Sequence, residues 1–293
     1  AALLGAQLWL QIVIFFLVYT ASAFASGGKL FSTVFGCSYH VSLTIGAVII
    51  LAYTFMGGFM AVCTTDFIQG MLMLVALVTV PVVAFALMGG NVGPALEQTG
   101  VTAANFLNVM KNGENNFSAV EIISQLAWGL GYCGMPHILV RFMAVKNQKE
   151  LNKSKGIAII WVALSLAFAV VIGVLGRAYL YPTILGADGG STEIVFIEMI
   201  KQVFTVDIRL PIVAGLFLCG ILAAIMSTAD SQLLVTASSM SEDIYKGIIK
   251  KDATEEKVMK MSRYTVLGVA VLAYLIAWDP NSSIMGLVSN AWA

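Results

Sequence analysis

Seven stretches of about 20 consecutive apolar residues, near 7–25, 41–62, 67–89, 119–140, 156–180, 211–236 and 262–278, constrain this chain more than any other feature. A bilayer core about 30 Å thick takes about 20 apolar residues of helix to cross. Barrel strands would alternate in polarity over about 10 residues, whereas these runs are evenly apolar. Helix is then the spanning structure left, because backbone amides in hydrocarbon must pair within their own segment. An eighth run begins at Ser283 and stops at Ala293. The fold expected is an all-α polytopic membrane protein of about seven full transmembrane helices plus the start of an eighth. Only 11% of residues are charged, against about a quarter in soluble domains. With no initiating Met, signal peptide or closing polar tail, residues 1–293 read as an internal segment of a longer chain. No linker-like tract divides it, so one transmembrane domain is expected.

Formal net charge is zero, but Lys and Arg collect in cytoplasmic loops. RFMAVKNQKELNKSK carries Arg141, Lys146, Lys149, Lys153 and Lys155, and the segment near 246–263 carries Lys246, Lys250, Lys251, Lys257, Lys260 and Arg263. Both are assigned to the cytoplasmic side. The loops 90–118 and 183–210, with few basic residues, then lie outside, and the first helix ends outside near Lys29. In the second outer loop, STEIVFIEMIKQVF places Phe196, Met199, Ile200 and Val203 on one helical face, which suggests a segment lying at the membrane surface.

Cys37, Cys63, Cys133 and Cys219 show no metal spacing, and His40 and His137 cannot alone build a metal or nucleophilic site. No HExxH, GxSxG or P-loop is present. Enzymatic chemistry and a bound cofactor are therefore not expected.

The most telling polar interruption is ILAAIMSTADSQLLV, residues 221–235. On a helix, Ala224, Ser227 and Thr228 stand at i, i+3 and i+4, so one carbonyl and two hydroxyls can converge. Neutral oxygens in that arrangement suit a monovalent hard cation held loosely enough to leave. The alternative is that the hydroxyls bond their own helix or let neighbouring helices approach. Asp230 favours function, since an ionisable residue within a span is costly.

In AWGLGYCGMPHILVRFMA, residues 127–144, Gly129, Gly131, Gly134 and Pro136 predict a broken helix. Broken helices at membrane depth occur where they line a cavity. Trp128 and Tyr132, at i and i+4, would form an aromatic wall for a small organic solute, or else a packing stripe. His137 and Arg141 read as the cytoplasmic helix end. Tyr19 precedes TASAFASGGK, a run of small residues that permits close helix packing. Asp66, placed between two spans, reads most simply as a helix N-cap, with cation release as the sharper alternative.

Four stretches, YTFMGGFMAVCTTDFIQ (53–69), WGLGYCGMPHILVRFMA (128–144), GILAAIMSTADSQLLVTASSMSEDIY (220–245) and GLVSNAWA (286–293), together resemble the sodium/solute symporter family. The resemblance implies a leucine-transporter-type core of two inverted five-helix repeats, here incomplete at both ends, with sites at broken helices. It implies sodium-coupled uptake of L-proline across a bacterial cytoplasmic (inner) membrane by a multi-pass protein acting as a monomer. Na+ is then the coupling ion, with no other cofactor. Family roles fall on Ala224, Ser227 and Thr228 as sodium ligands and on Tyr19, Trp128, Tyr132 and Pro136 as the proline pocket. Asp66 falls on the cytoplasmic ion-exit path. Asp230 stands where some relatives have Ser and receives no ligand role. The rival readings are a same-family symporter for another small solute, and the symporter-like membrane region of a sensor histidine kinase.

Overall fold

The chain's need to satisfy its backbone without water is met by helix almost throughout. The computed structural model describes residues 2–56, 59–112, 115–183, 185–186 and 192–292. The helices are α1 (Ala2–Phe35), α2 (Tyr39–Met56), α3 (Phe59–Leu87), α4 (Val92–Gln98), α5 (Ala103–Phe106), α6 (Ala119–Gly131), α7 (Pro136–Met143), α8 (Gln148–Tyr179), α9 (Val195–Ile200), α10 (Pro211–Ser238), α11 (Glu255–Ile276) and α12 (Ile284–Trp292). A short antiparallel pair, β1 (Lys111–Asn112) with β2 (Asn115–Asn116), matches Lys111 to Asn116. After α9 and α10 the chain continues as π-helix, over Lys201–Asp207 and Ser239–Ile249.

Among the described residues five segments are long and apolar enough to cross a membrane: Gln11–Phe35, Cys63–Leu87, Gln148–Tyr179, Pro211–Ile249 and Glu255–Ile276. Tyr39–Phe55 is a shorter apolar helix. The run expected near 119–140 is two helices, as its glycines and Pro136 predict, with a 3-10 turn over Tyr132–Gly134 between them. The eighth run is α12, its last residue, Ala293, lying outside the described residues.

The chain forms two compact units, residues 1–70 with 221–293, and 71–220. In the first unit α1 packs on α2, α11 and α12. Its core holds Phe24, Leu43, Ile50 and Leu233 with no exposed surface. The small-residue run does what its composition predicts. Ala21, Ala23 and Ala25 are buried, and a Cβ on Gly28 would lie 2.9 Å from the Tyr39 ring and 3.3 Å from Leu43 Cβ. Polar ties close the same faces: the Tyr39 hydroxyl donates to the Ala277 carbonyl (2.7 Å), and Lys29 Nζ to the Ser282 carbonyl (2.9 Å). Lys29 therefore sits buried within α1, six residues before the helix ends at Phe35.

In the second unit α8 carries α4 and α9. Asn147 caps α8 by accepting from the Glu150 amide (3.0 Å). Away from those helices, α8 presents exposed Ile157, Ile160, Leu166 and Val170, surface that suits a lipid solvent. The segment expected to lie at the membrane surface packs one side against α8, with Phe196 half-buried. Met199, Ile200 and Val203 are fully covered. Gly176 makes room, since a Cβ there would clash with the Val195 side chain and lie 3.1 Å from the Met199 sulfur. An amphipathic face looks the same in sequence whether lipid or another helix covers it.

Candidate functional site

On α10, unbroken helix sets Ser227 and Thr228 one turn beyond Ala224. Both hydroxyls donate to the Ala224 carbonyl, Oγ of Ser227 at 3.1 Å and Oγ1 of Thr228 at 2.9 Å. The hydroxyls thus bond their own helix, the plainer of the two readings, and these bonds bring three oxygens together; all three residues are half-buried. Because each hydroxyl hydrogen is directed at the carbonyl, the hydroxyl lone pairs stay available to a cation. One turn further, Ser231 Oγ donates to the Ser227 carbonyl at 2.7 Å and lies 3.4 Å from Asp230 Oδ1. Asp230 and Gln232 are fully buried.

Asp66 is not a helix cap. It lies in the third turn of α3, which begins at Phe59 rather than near residue 67. Neighbouring Thr65 shares a hydrogen bond with the Tyr53 hydroxyl of α2. Asp66 of α3 and Asp230 of α10 both lie within electrostatic reach of that hydroxyl. The Tyr53–Thr65 bond therefore ties α2 to α3 within the first unit. Tyr53 and Thr65 carried no role in the sequence, and only the spacing of Tyr53 ahead of the polar Thr-Thr-Asp run hinted at them.

Tyr19, also in this unit, is half-buried and meets Phe16 and Trp292 edge-on, with ring centroids 6.3 and 6.0 Å apart. Trp292 was missed in the sequence. It lies in GLVSNAWA, 273 positions from Tyr19 along the chain, and no local pattern pairs them.

In the second unit, Tyr132 keeps helical dihedrals (φ −60°, ψ −29°), so it stays one turn above Trp128. Met135 then turns extended (φ −72°, ψ 110°), and Pro136 restarts the chain as the first residue of α7. A proline costs nothing there, since the first amides of a helix lack intrahelical partners anyway. At its other end α6 is closed by a reciprocal cap between Ser118 and Glu121. Arg141, in the last turn of α7, donates to the His137 carbonyl at 2.7 Å, as a cation at a helix C-terminus should. Among the described residues no group of three or more His, Cys, Asp or Glu is placed to hold a metal ion. The oxygens that meet on α10, one carbonyl and two hydroxyls, are uncharged.

Comparison with known proteins adds three findings. The profile of the Sodium:solute symporter family matches residues 6–293. The osmoregulated proline transporter OpuE of Bacillus subtilis (strain 168) is 42% identical over 284 residues, which cover 97% of this chain and 55% of that protein. A sodium/proline symporter of Staphylococcus aureus is 44% identical over 287 residues, 97% of this chain and 54% of the relative. The chain thus spans about half the length of the curated relatives it matches. Among solved structures, a Na+-coupled sialic acid symporter in its substrate-bound outward-open state superposes with a TM-score of 0.73 at 20% identity, covering 94% of this chain and 58% of the other. That likeness shows the fold.

Proposed function

Since the chain belongs to the sodium:solute symporter family, we propose that it forms part of a multi-pass transporter that couples uptake of L-proline to entry of Na+ across a bacterial cytoplasmic membrane. The observation that carries the reading is a 42–44% likeness to two transporters named for proline. The oxygen cluster on α10 supports it, because neutral oxygens suit a transported monovalent ion. Both compact units belong to one transport domain in this reading, and the full-length protein works as a monomer.

Sodium, as a cargo, is held by the Ala224 carbonyl and the Ser227 and Thr228 hydroxyls, with further ligands from other segments of the full-length protein. Neutral donors pair no full negative charge with the ion, so it can leave on the inner side. Asp66 serves that exit: a carboxylate half-buried within α3 is a costly placement that a passing cation compensates. Proline is recognised at the helix break. Trp128 and Tyr132 offer aromatic faces to its ring, and Pro136 fixes the start of α7, whose N-terminal end favours the carboxylate; the family likeness also gives Tyr19 a proline-binding role.

Coupling needs only that sodium and proline each bind one of two conformations better, and it is reciprocal. One positive charge entering at 100 mV contributes about 2.3 kcal/mol, equal to roughly a 50-fold solute gradient before any sodium gradient is counted. A single ion per solute is therefore enough for accumulation.

The test is uptake of labelled proline by proteoliposomes holding the full-length protein, under an inward sodium gradient with a potassium control. Uptake that requires sodium and transiently exceeds equilibrium is the expected result. Proline binding without sodium-driven uptake would favour a sensor, and sodium-driven uptake that proline does not share would favour another solute.

A further inference from the structure

Arg177 has no part in the reading above, yet it is a cation beside a cavity. It stands in the last turn of α8 and donates from Nε to Thr99 Oγ1 (3.0 Å) and from Nη2 to the Thr99 carbonyl (3.3 Å). Its guanidinium carbon lies 5.6 Å from the centre of the Phe106 ring. A guanidinium carries five N–H donors. Thr99 takes two along the Nε–Nη2 edge, leaving three, including the pair across Nη1 and Nη2 that fits a carboxylate in two-point fashion. No carboxylate among the described residues forms an ion pair or hydrogen bond with Arg177.

Arg177 lines a cavity of about 210 Å³ together with Phe106, Thr183, Leu185, Thr192 and Val195. At roughly 30 Å³ per water, that is the room of about seven waters, the size of a small organic acid. One side is charged, Thr183 and Thr192 add hydroxyls, and Phe106, Leu185 and Val195 are apolar. Glu193 neighbours Thr192 in the chain but does not line the cavity. An apolar wall beside a guanidinium that has no carboxylate partner among the described residues raises the strength of an ion pair formed there. The cavity is built by the loops that the distribution of Lys and Arg assigns to the outer side.

We infer that this cavity is a binding site for a small carboxylate with an apolar body, placed on the outer face and independent of sodium. The carboxylate takes the free edge of Arg177, the hydroxyls of Thr183 and Thr192 flank it, and the apolar body rests on Phe106, Leu185 and Val195. Thr99 holds the guanidinium in position from behind, so little side-chain entropy is lost when the ligand arrives. The inference stands apart from the proposed symport, because it uses none of the residues assigned to that function.

The experiment is direct binding of radiolabelled cyclopentanecarboxylate, a ring acid without an amine, to the full-length protein in nanodiscs and sodium-free buffer. Saturable binding is expected, with neutral cyclopentanecarboxamide competing at least about tenfold less well, as charge-assisted recognition requires. Arg177→Gln should weaken binding at least about tenfold for the same reason. Leu185→Trp, which fills the cavity and leaves the Arg177–Thr99 contacts intact, should abolish it even if Arg177→Gln fails to fold. No saturable binding to the parent, binding that survives both variants, or an amide that competes equally would overturn the inference. Sodium-driven proline uptake measured on the same preparations separates the two readings. Uptake without carboxylate binding removes the carboxylate site alone, and binding without uptake removes the symport alone.

Discussion

Replacing Thr228 by Val removes one oxygen and keeps the shape and the β-branch. In the structure that oxygen donates to the Ala224 carbonyl at 2.9 Å within its own helix. If this internal bond were its whole purpose, the change would cost about 0.5–1.5 kcal/mol of stability at most. The Ala224 carbonyl would still accept from Ser227 at 3.1 Å, and sodium dependence would not move. As a sodium ligand the hydroxyl contributes a charge-assisted contact instead, worth about 1.5–3 kcal/mol. At about 1.4 kcal/mol per tenfold, the sodium concentration for half-maximal proline uptake should rise about tenfold to a hundredfold. The assay is initial uptake in proteoliposomes of full-length protein over a range of sodium, normalised to protein inserted, with proline saturating. A half-maximal sodium concentration within about twofold of the parent's would return Thr228 to helix packing and refute the ligand assignment.

Asp66→Asn should slow turnover with little change in sodium affinity, read from pre-steady-state and steady-state uptake; an unaffected rate would remove Asp66 from the exit path. Trp128→Ala and Tyr132→Ala should each weaken proline binding by about 1–3 kcal/mol, the range for a truncated aromatic anchor, measured by equilibrium binding; unchanged affinity would make them packing residues. Gly28→Val should destabilise the first unit by about 1–3 kcal/mol through overpacking against Tyr39 and Leu43. A lowered midpoint in thermal unfolding in detergent checks it, with Tyr39→Ala giving partial rescue.

What could be read in the sequence follows from how local each signal was. The α10 oxygen cluster needs only helical spacing over five residues, and the break at Tyr132–Met135 needs only nearby Gly and Pro, so both were legible. The small-residue run of α1 likewise announced the close approach of α2 at Gly28. Asp66 was misplaced because Thr64, Thr65 and Asp66 look like a loop between apolar runs. Helix in fact continues through them, with Thr65 meeting Tyr53 of a neighbouring helix. The face of α9 gave no sign whether lipid or protein would cover it, and that was settled by Gly176, lying in another helix. Trp292 beside Tyr19, and Arg177 beside its cavity, depend on residues far apart in the chain. Periodicity does not reach that far.

The central claim is that the oxygens of α10 hold the sodium ion whose binding is linked to proline. Equilibrium binding of labelled Na+ to the purified full-length protein, with and without proline, tests it most directly. Proline should tighten sodium binding in the parent, and Thr228→Val and Ser227→Ala should weaken that binding while the protein stays folded. Sodium binding that is indifferent to proline, or that both variants leave intact, would contradict the account.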